Sequence, residues 1–141
     1  MSITTLVYVS FSAEKMTDQE LKDILAVSRE NNSKLGITGM LLYRDGFFIQ
    51  VLEGEKEVVN QLYEKISEDE RHANILKVYQ ETSKARSFED WSMGFNKIED
   101  VDLQNLEGFT DFLNKPQMNF FTKEPNRART LLNMFKNKTY F

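Results

Sequence analysis

Residues 37–54 read Ile37-Thr-Gly-Met-Leu-Leu-Tyr-Arg-Asp-Gly-Phe-Phe-Ile-Gln-Val-Leu-Glu-Gly54, two apolar runs around one Asp-Gly pair. Asp45-Gly46 supplies the positive φ angles of a two-residue hairpin, so 37–44 and 47–53 are adjacent antiparallel strands. Upstream, residues 3–11 (ITTLVYVSF) are β-branched and aromatic and form a strand. Its faces differ, with Ile3, Thr5, Val7 and Val9 on one side and Leu6, Tyr8 and Ser10 on the other. Between that strand and the hairpin, Thr17-Asp-Gln-Glu20 has the form of a capping box, which predicts a helix from about Asp18 to about Asn32. After Gly54, Val58, Val59, Leu62 and Ile66 recur at helical spacing. A fourth strand is predicted near 75–82 and a short fifth near 93–98.

The order is β-α-β-β-α-β and one more strand. The expected class is therefore α+β, a ferredoxin-like sheet with an additional strand and both helices on one face. Residues 99–141 read as mostly helical, punctuated by Pro116 and Pro125. They are expected to form a C-terminal helical cap over the bare face of the sheet, completing one domain whose core is 1–98.

The 141 residues suffice for one domain with a real core. With 40% hydrophobic and 28% charged residues, the chain reads as soluble and globular. The net charge of −4 argues against nonspecific nucleic-acid binding, which needs a basic surplus. Apolar runs are strand-sized, so no membrane span is expected. The N-terminus lacks a basic region before its strand pattern, so no signal peptide is read and the expected location is cytoplasmic. Cysteine is absent and His72 is the single histidine. Disulfides, thiol nucleophiles and multi-His or Cys-rich metal centres are thereby excluded, and no metal or catalytic residue is expected.

Polar residues interrupt the expected core in three places. The apolar stripe of the first helix, Leu21, Ile24 and Leu25, runs on into Ser28, Asn31 and Asn32. The asparagines either end the helix or offer paired donors and acceptors to a heterocycle edge. In the third strand Gln50 shares a face with Phe48 and Leu52, and a buried carboxamide without partners costs about 1–3 kcal/mol. It either bonds a neighbouring backbone group or edge solvent, or it serves a ligand. Tyr8 is either core with a wet hydroxyl or a third member of the same site, because ferredoxin-like topology makes the first and third strands neighbours. Taken together, these groups surround a space lined by Ile24, Phe48, Leu52 and Ile66 that fits a flat heteroaromatic ligand.

These features, with Gly36–Gly54 and Trp91-Ser-Met-Gly94, resemble the BLUF domains, blue-light sensors using FAD, over about residues 2–98. The remainder is similar to the cap of the short, stand-alone members. The resemblance implies noncovalently bound FAD, with Tyr8 as electron and proton donor and Gln50 as the switch between Tyr8 and flavin N5/O4. It places Asn31 and Asn32 at the ring's polar edge and Ile24 and Ile66 on its two faces, with Phe48 nearby. Trp91 and Met93 belong to the segment that reports the switch. Arg29, Lys65, Arg71 and His72 are candidates near the phosphates, though His72 reads equally as ordinary surface. A downstream signalling protein or a homo-oligomer interface would receive the signal.

Three rival readings use the same fold. An acylphosphatase-like hydrolase would need a glycine-rich phosphate cradle, and the 12–16 loop, Ser-Ala-Glu-Lys-Met, has no glycine. A light-independent interaction module is disfavoured by the joint presence of Tyr8, Gln50 and Asn32. A flavin oxidoreductase would want a second substrate site, and none is suggested.

Overall fold

The computed structural model describes residues 2–12, 15–69, 72–88, 92–99 and 123–135. The chain runs β1 (Ile3–Ser12), α1 (Asp18–Leu35), β2 (Thr38–Arg44), β3 (Phe47–Gly54), α2 (Lys56–Ser67), β4 (His72–Ser83), β5 (Gly94–Lys97) and α3 (Asn126–Met134). The five strands lie in the order β4-β1-β3-β2-β5. β1 is antiparallel to both its neighbours, β2 is antiparallel to β3, and β5 runs parallel to β2. The ferredoxin-like reading with an added strand holds.

The hairpin forms as its sequence requires, with Asp45 at φ 45° and Gly46 at φ 88°. Thr17 caps α1: its side chain accepts from the Glu20 N–H while the Glu20 carboxylate accepts from the Thr17 N–H. Thr17→Ala should cost about 1 kcal/mol and lower Tm by about 4 °C, which a thermal melt followed by circular dichroism will check.

Two boundaries differ from expectation: β4 begins at His72 rather than near 75, and the end of α1 shifts as well. α1 does not end at Asn32 but continues to Leu35, and Gly36 closes it at φ 69°. The N–H groups of Gly36 and Ile37 both reach the Asn32 carbonyl. The positive φ that ends the helix falls on the residue without a Cβ, so the asparagines stay within regular helix.

The alternation of each strand divides the core into two layers. On one face Leu6, Tyr8, Leu41, Phe48 and Leu52 pack against Leu21 and Leu25 of α1 and Val59 of α2. On the other, Val7, Val9, Met40, Ile49 and Val51 pack against Ala128, Leu131 and Leu132 of α3. Covered on both sides, β3 is buried from end to end. A helix from the C-terminal region thus covers the second face; the rest of the expected cap lies outside the described residues. Among the described residues no helix is long and apolar enough to cross a membrane.

Candidate functional site

The centre of the helix-covered face holds a chain of polar contacts. Tyr8 and Gln50 stand opposite each other in the β1–β3 ladder, so their side chains emerge together on one face. The Tyr8 hydroxyl donates to Gln50 Oε1. Gln50 Nε2 in turn donates to Met93 Sδ at 3.2 Å. Only 2% of Tyr8 and 6% of Gln50 is exposed, so little water competes for these groups. Burial pushes the Tyr8 phenol far above its ordinary value, and the nearby Tyr63 and Asp69 push the same way. The phenol therefore stays protonated and donates. The two ends of Gln50 are unequally held: a phenol faces its oxygen, whereas the thioether facing its nitrogen is a weak acceptor.

Two further contacts hold the segment that carries Met93. Asn32, also buried, donates through Nδ2 to the Ser92 carbonyl at 2.9 Å, and Arg29 Nε donates to the Met93 carbonyl at 2.9 Å. Both come from α1, whose extension to Leu35 fixes the helical position of Asn32.

Beside these contacts a cavity of about 500 Å³ opens between α1 and α2. Ser28, Asn31, Asn32, Lys34 and Leu35 of α1 line it on one side and Val58, Gln61, Leu62, Lys65 and Ile66 of α2 on the other, together with Gln50 and Asp69. A smaller space of about 90 Å³ lies next to it, lined by Tyr8, Met16, Ile24, Leu41 and Phe48. Ser28, Gln50, Ile66 and Asp69 line both spaces.

Of the residues singled out in the sequence, Tyr8, Ile24, Ser28, Asn31, Asn32, Phe48, Gln50, Lys65 and Ile66 meet around this double cavity. Leu52 does not line it; the side chain is wholly buried in the core layer behind. Arg29 lines neither space, because its guanidinium is turned to the Met93 carbonyl. His72 begins β4. Arg71 and Trp91 lie outside the described residues. Met16, Lys34, Leu35, Leu41, Val58, Gln61, Leu62 and Asp69 also line the double cavity and are not among the sequence candidates. Leu62 was visible as part of the α2 stripe, but Asp69 and Met16 lie beyond helix ends, where periodicity carries no signal.

This donor set suits a flavin. Carboxamides offer donors and acceptors together, as an imide edge requires, and branched aliphatic side chains suit the faces of a flat ring.

The family model of sensors of blue light using FAD, BLUF, matches residues 3–94. The chain belongs to the BLUF family, and its cofactor is accordingly FAD. The solved structure of BlsA in its photo-activated state matches with a TM-score of 0.79 at 36% identity, covering 100% of this chain and 99% of that one. Photoactivated adenylate cyclase subunit beta of Euglena longa is 33% identical over 119 residues, 77% of this chain but 14% of that protein. The blue light- and temperature-regulated antirepressor BluF of Escherichia coli strain K12 is 28% identical over 144 residues, 99% of this chain and 35% of that protein. The chain thus spans about a third or less of the length of these two relatives. The match favours a blue-light sensor over the hydrolase and light-independent readings.

Proposed function

We propose that this chain is a blue-light photoreceptor whose switch is the Tyr8–Gln50–Met93 chain and whose output is a protein contact rather than a reaction of its own. The observation that carries the proposal is the hydrogen-bonded pair Tyr8–Gln50, set by strand register, with Gln50 lining the cavity of about 500 Å³ between α1 and α2. Bound FAD supplies a chromophore that becomes a strong oxidant on absorbing blue light. Tyr8 is the buried phenol positioned to lose an electron and a proton. Gln50 bonds that phenol through its carbonyl end, and the amide has a second arrangement in which its N–H group faces Tyr8. In that arrangement the weak thioether contact is given up, and the bond from Tyr8 to Oε1 is exchanged for one from Gln50 N–H to the Tyr8 oxygen. The two arrangements are therefore close in energy, and a small bias moves the population.

Asn31, Asn32 and Ser28 would hold the polar edge of the ring, Ile24 and Ile66 its faces, and Phe48 the inner end of the pocket. Lys65, which lines the cavity, is the candidate for the phosphates, and Arg71 and His72 stay candidates on the sequence resemblance alone. Met93 precedes β5, where Asn96 Nδ2 donates to the Phe135 carbonyl at the end of α3. That contact joins the switch side of the sheet to the capped side. A signalling partner or a second copy of the chain, in the cytoplasm, would read the change there.

Purified protein should be yellow, and blue light should shift its absorbance reversibly to the red. Protein that takes up FAD yet shows no reversible shift overturns the proposal. Asn32→Ala should weaken FAD retention by about tenfold, measured by fluorescence titration of released flavin.

A further inference from the structure

On the capped face, three residues after Gln50, Glu53 occupies a position where a strand side chain should be apolar. It follows Val51 on that face and is only 1% exposed. Both carboxylate oxygens accept hydrogen bonds. Oε1 takes the Phe88 N–H at 2.9 Å and the Thr38 hydroxyl at 3.1 Å, while Oε2 takes the Ser87 N–H at 2.6 Å. The main chain of the same residue is held as well: Arg86 Nη1 donates to the Glu53 carbonyl at 3.1 Å and to Thr38 Oγ1 at 2.9 Å. Thr38 is the ladder partner of Glu53 across β2 and β3. A buried carboxyl group is retained only where such partners compensate its lost hydration. Here the compensation comes from two consecutive backbone amides of a connection, which ties that connection to the end of β3.

The tie matters because of where the connection leads. Phe88 is buried in the capped layer with Leu131, Leu132 and Phe135. Five residues later Met93 is buried in the opposite layer, against Gln50. The stretch 88–93 thus begins in one core layer and ends in the other. Its far end is held by Asn32 and Arg29, and its near end by Glu53. A displacement of Met93 has two outlets, forward into β5 or backward into the 84–88 connection. Fixing the backward end directs the displacement forward.

We propose that Glu53 is a positioning residue for the light switch: its carboxylate anchors the 86–88 connection so that rearrangement at Gln50 moves β5 rather than relaxing into the loop. This rests on the reading of Gln50 as the switch. Glu53 touches neither the cavity nor Tyr8, Gln50 or Met93, and its effect passes through the segment it holds.

Glu53→Gln keeps the shape of the side chain but sets an NH₂ group against one of two backbone donors. Flavin content and the dark spectrum should stay as in the wild type. The dark-recovery rate should change by about tenfold, the effect expected from losing one hydrogen bond to a charged group. Hydrogen exchange over residues 84–88 should quicken in darkness, and the light-minus-dark difference over 92–99 should shrink. Arg86→Met loosens the same anchor from the other side and should shift both readouts in the same direction by less; it serves alone if Glu53→Gln does not fold. A residue that merely supported the fold would lower Tm and leave recovery and the exchange difference alone. Wild-type recovery, within about twofold, with an unchanged exchange difference in the folded variants overturns the role of Glu53. Failure of the wild type itself to respond to light overturns the underlying reading instead, and this inference with it.

Discussion

Tyr8→Phe should retain FAD and the fold but lose the reversible red shift. The ring of Tyr8 is packed in the helix-covered layer and lies 5.5 Å from that of Tyr63; phenylalanine preserves those contacts. What goes is the hydroxyl that donates to Gln50 Oε1. Stranding that buried oxygen should cost about 1–3 kcal/mol, a modest loss beside the disappearance of the light response. The variant also removes the group whose electron and proton the mechanism uses, so the response should vanish rather than slow. Absorbance spectra before and after illumination, with flavin content measured on the same sample, decide the matter. A variant with normal red shift and recovery would rule Tyr8 out as donor. The phenol has a consequence for pH as well. Below its ordinary value near 10 it is protonated in folded and unfolded chains alike, but above that value only the unfolded chain can readily release the proton. Stability should fall as pH climbs beyond about 10, and Tyr8→Phe should reduce that fall.

Gly39→Ala should be among the most damaging single substitutions in the sheet. A Cβ placed on Gly39 would meet the Val51 carbonyl oxygen at 1.9 Å, far inside contact distance and against backbone that cannot turn aside. Gly39 pairs with Leu52, and two residues along the same ladder Leu41 pairs with Gln50. Relief of the clash must push β2 from β3 beside the switch. We expect a loss of about 3 kcal/mol and a Tm lower by about 10 °C, with weaker flavin retention. Gly36→Ala provides the contrast. Nothing lies within 4 Å of its added Cβ, and only the φ of 69° penalises it, which should cost about 1–2 kcal/mol. Thermal unfolding of the two variants side by side tests the distinction; equal losses would show that the close approach at Gly39 relaxes freely.

The contrast also marks what could be read from the residues alone. Asp45-Gly46 announced its turn because positive φ angles have a local chemical signature. The pairing of Tyr8 with Gln50 followed from alternation and from a topology that leaves β1 no neighbour but β3 on that side. The reach of α1 past Asn32 was missed because Ser33 and Lys34 add nothing to the apolar stripe, although Gly36 was a stop signal in plain view. Glu53 could not be recognised. A carboxylate at a strand end reads as exposed, and its partners are backbone amides more than thirty residues away whose donors carry no sequence signal. The resemblance makes Arg29 a candidate for the phosphates, but its Nε bonds a carbonyl made available only by the fold.

At one end of the sheet β4 has twelve residues, long enough to recruit a foreign strand if it were flat. It is not flat. Val7 pairs with Tyr79 and Tyr8 with Lys77, so Val78 is an extra residue, and a second irregularity falls between Phe11 and Ser12. Such bulges coil an edge and spoil the even spacing that another chain would need for pairing. Exposed Lys77 and Glu81 place charge along it. The border of the sheet thus carries features that oppose cross-β pairing with another chain.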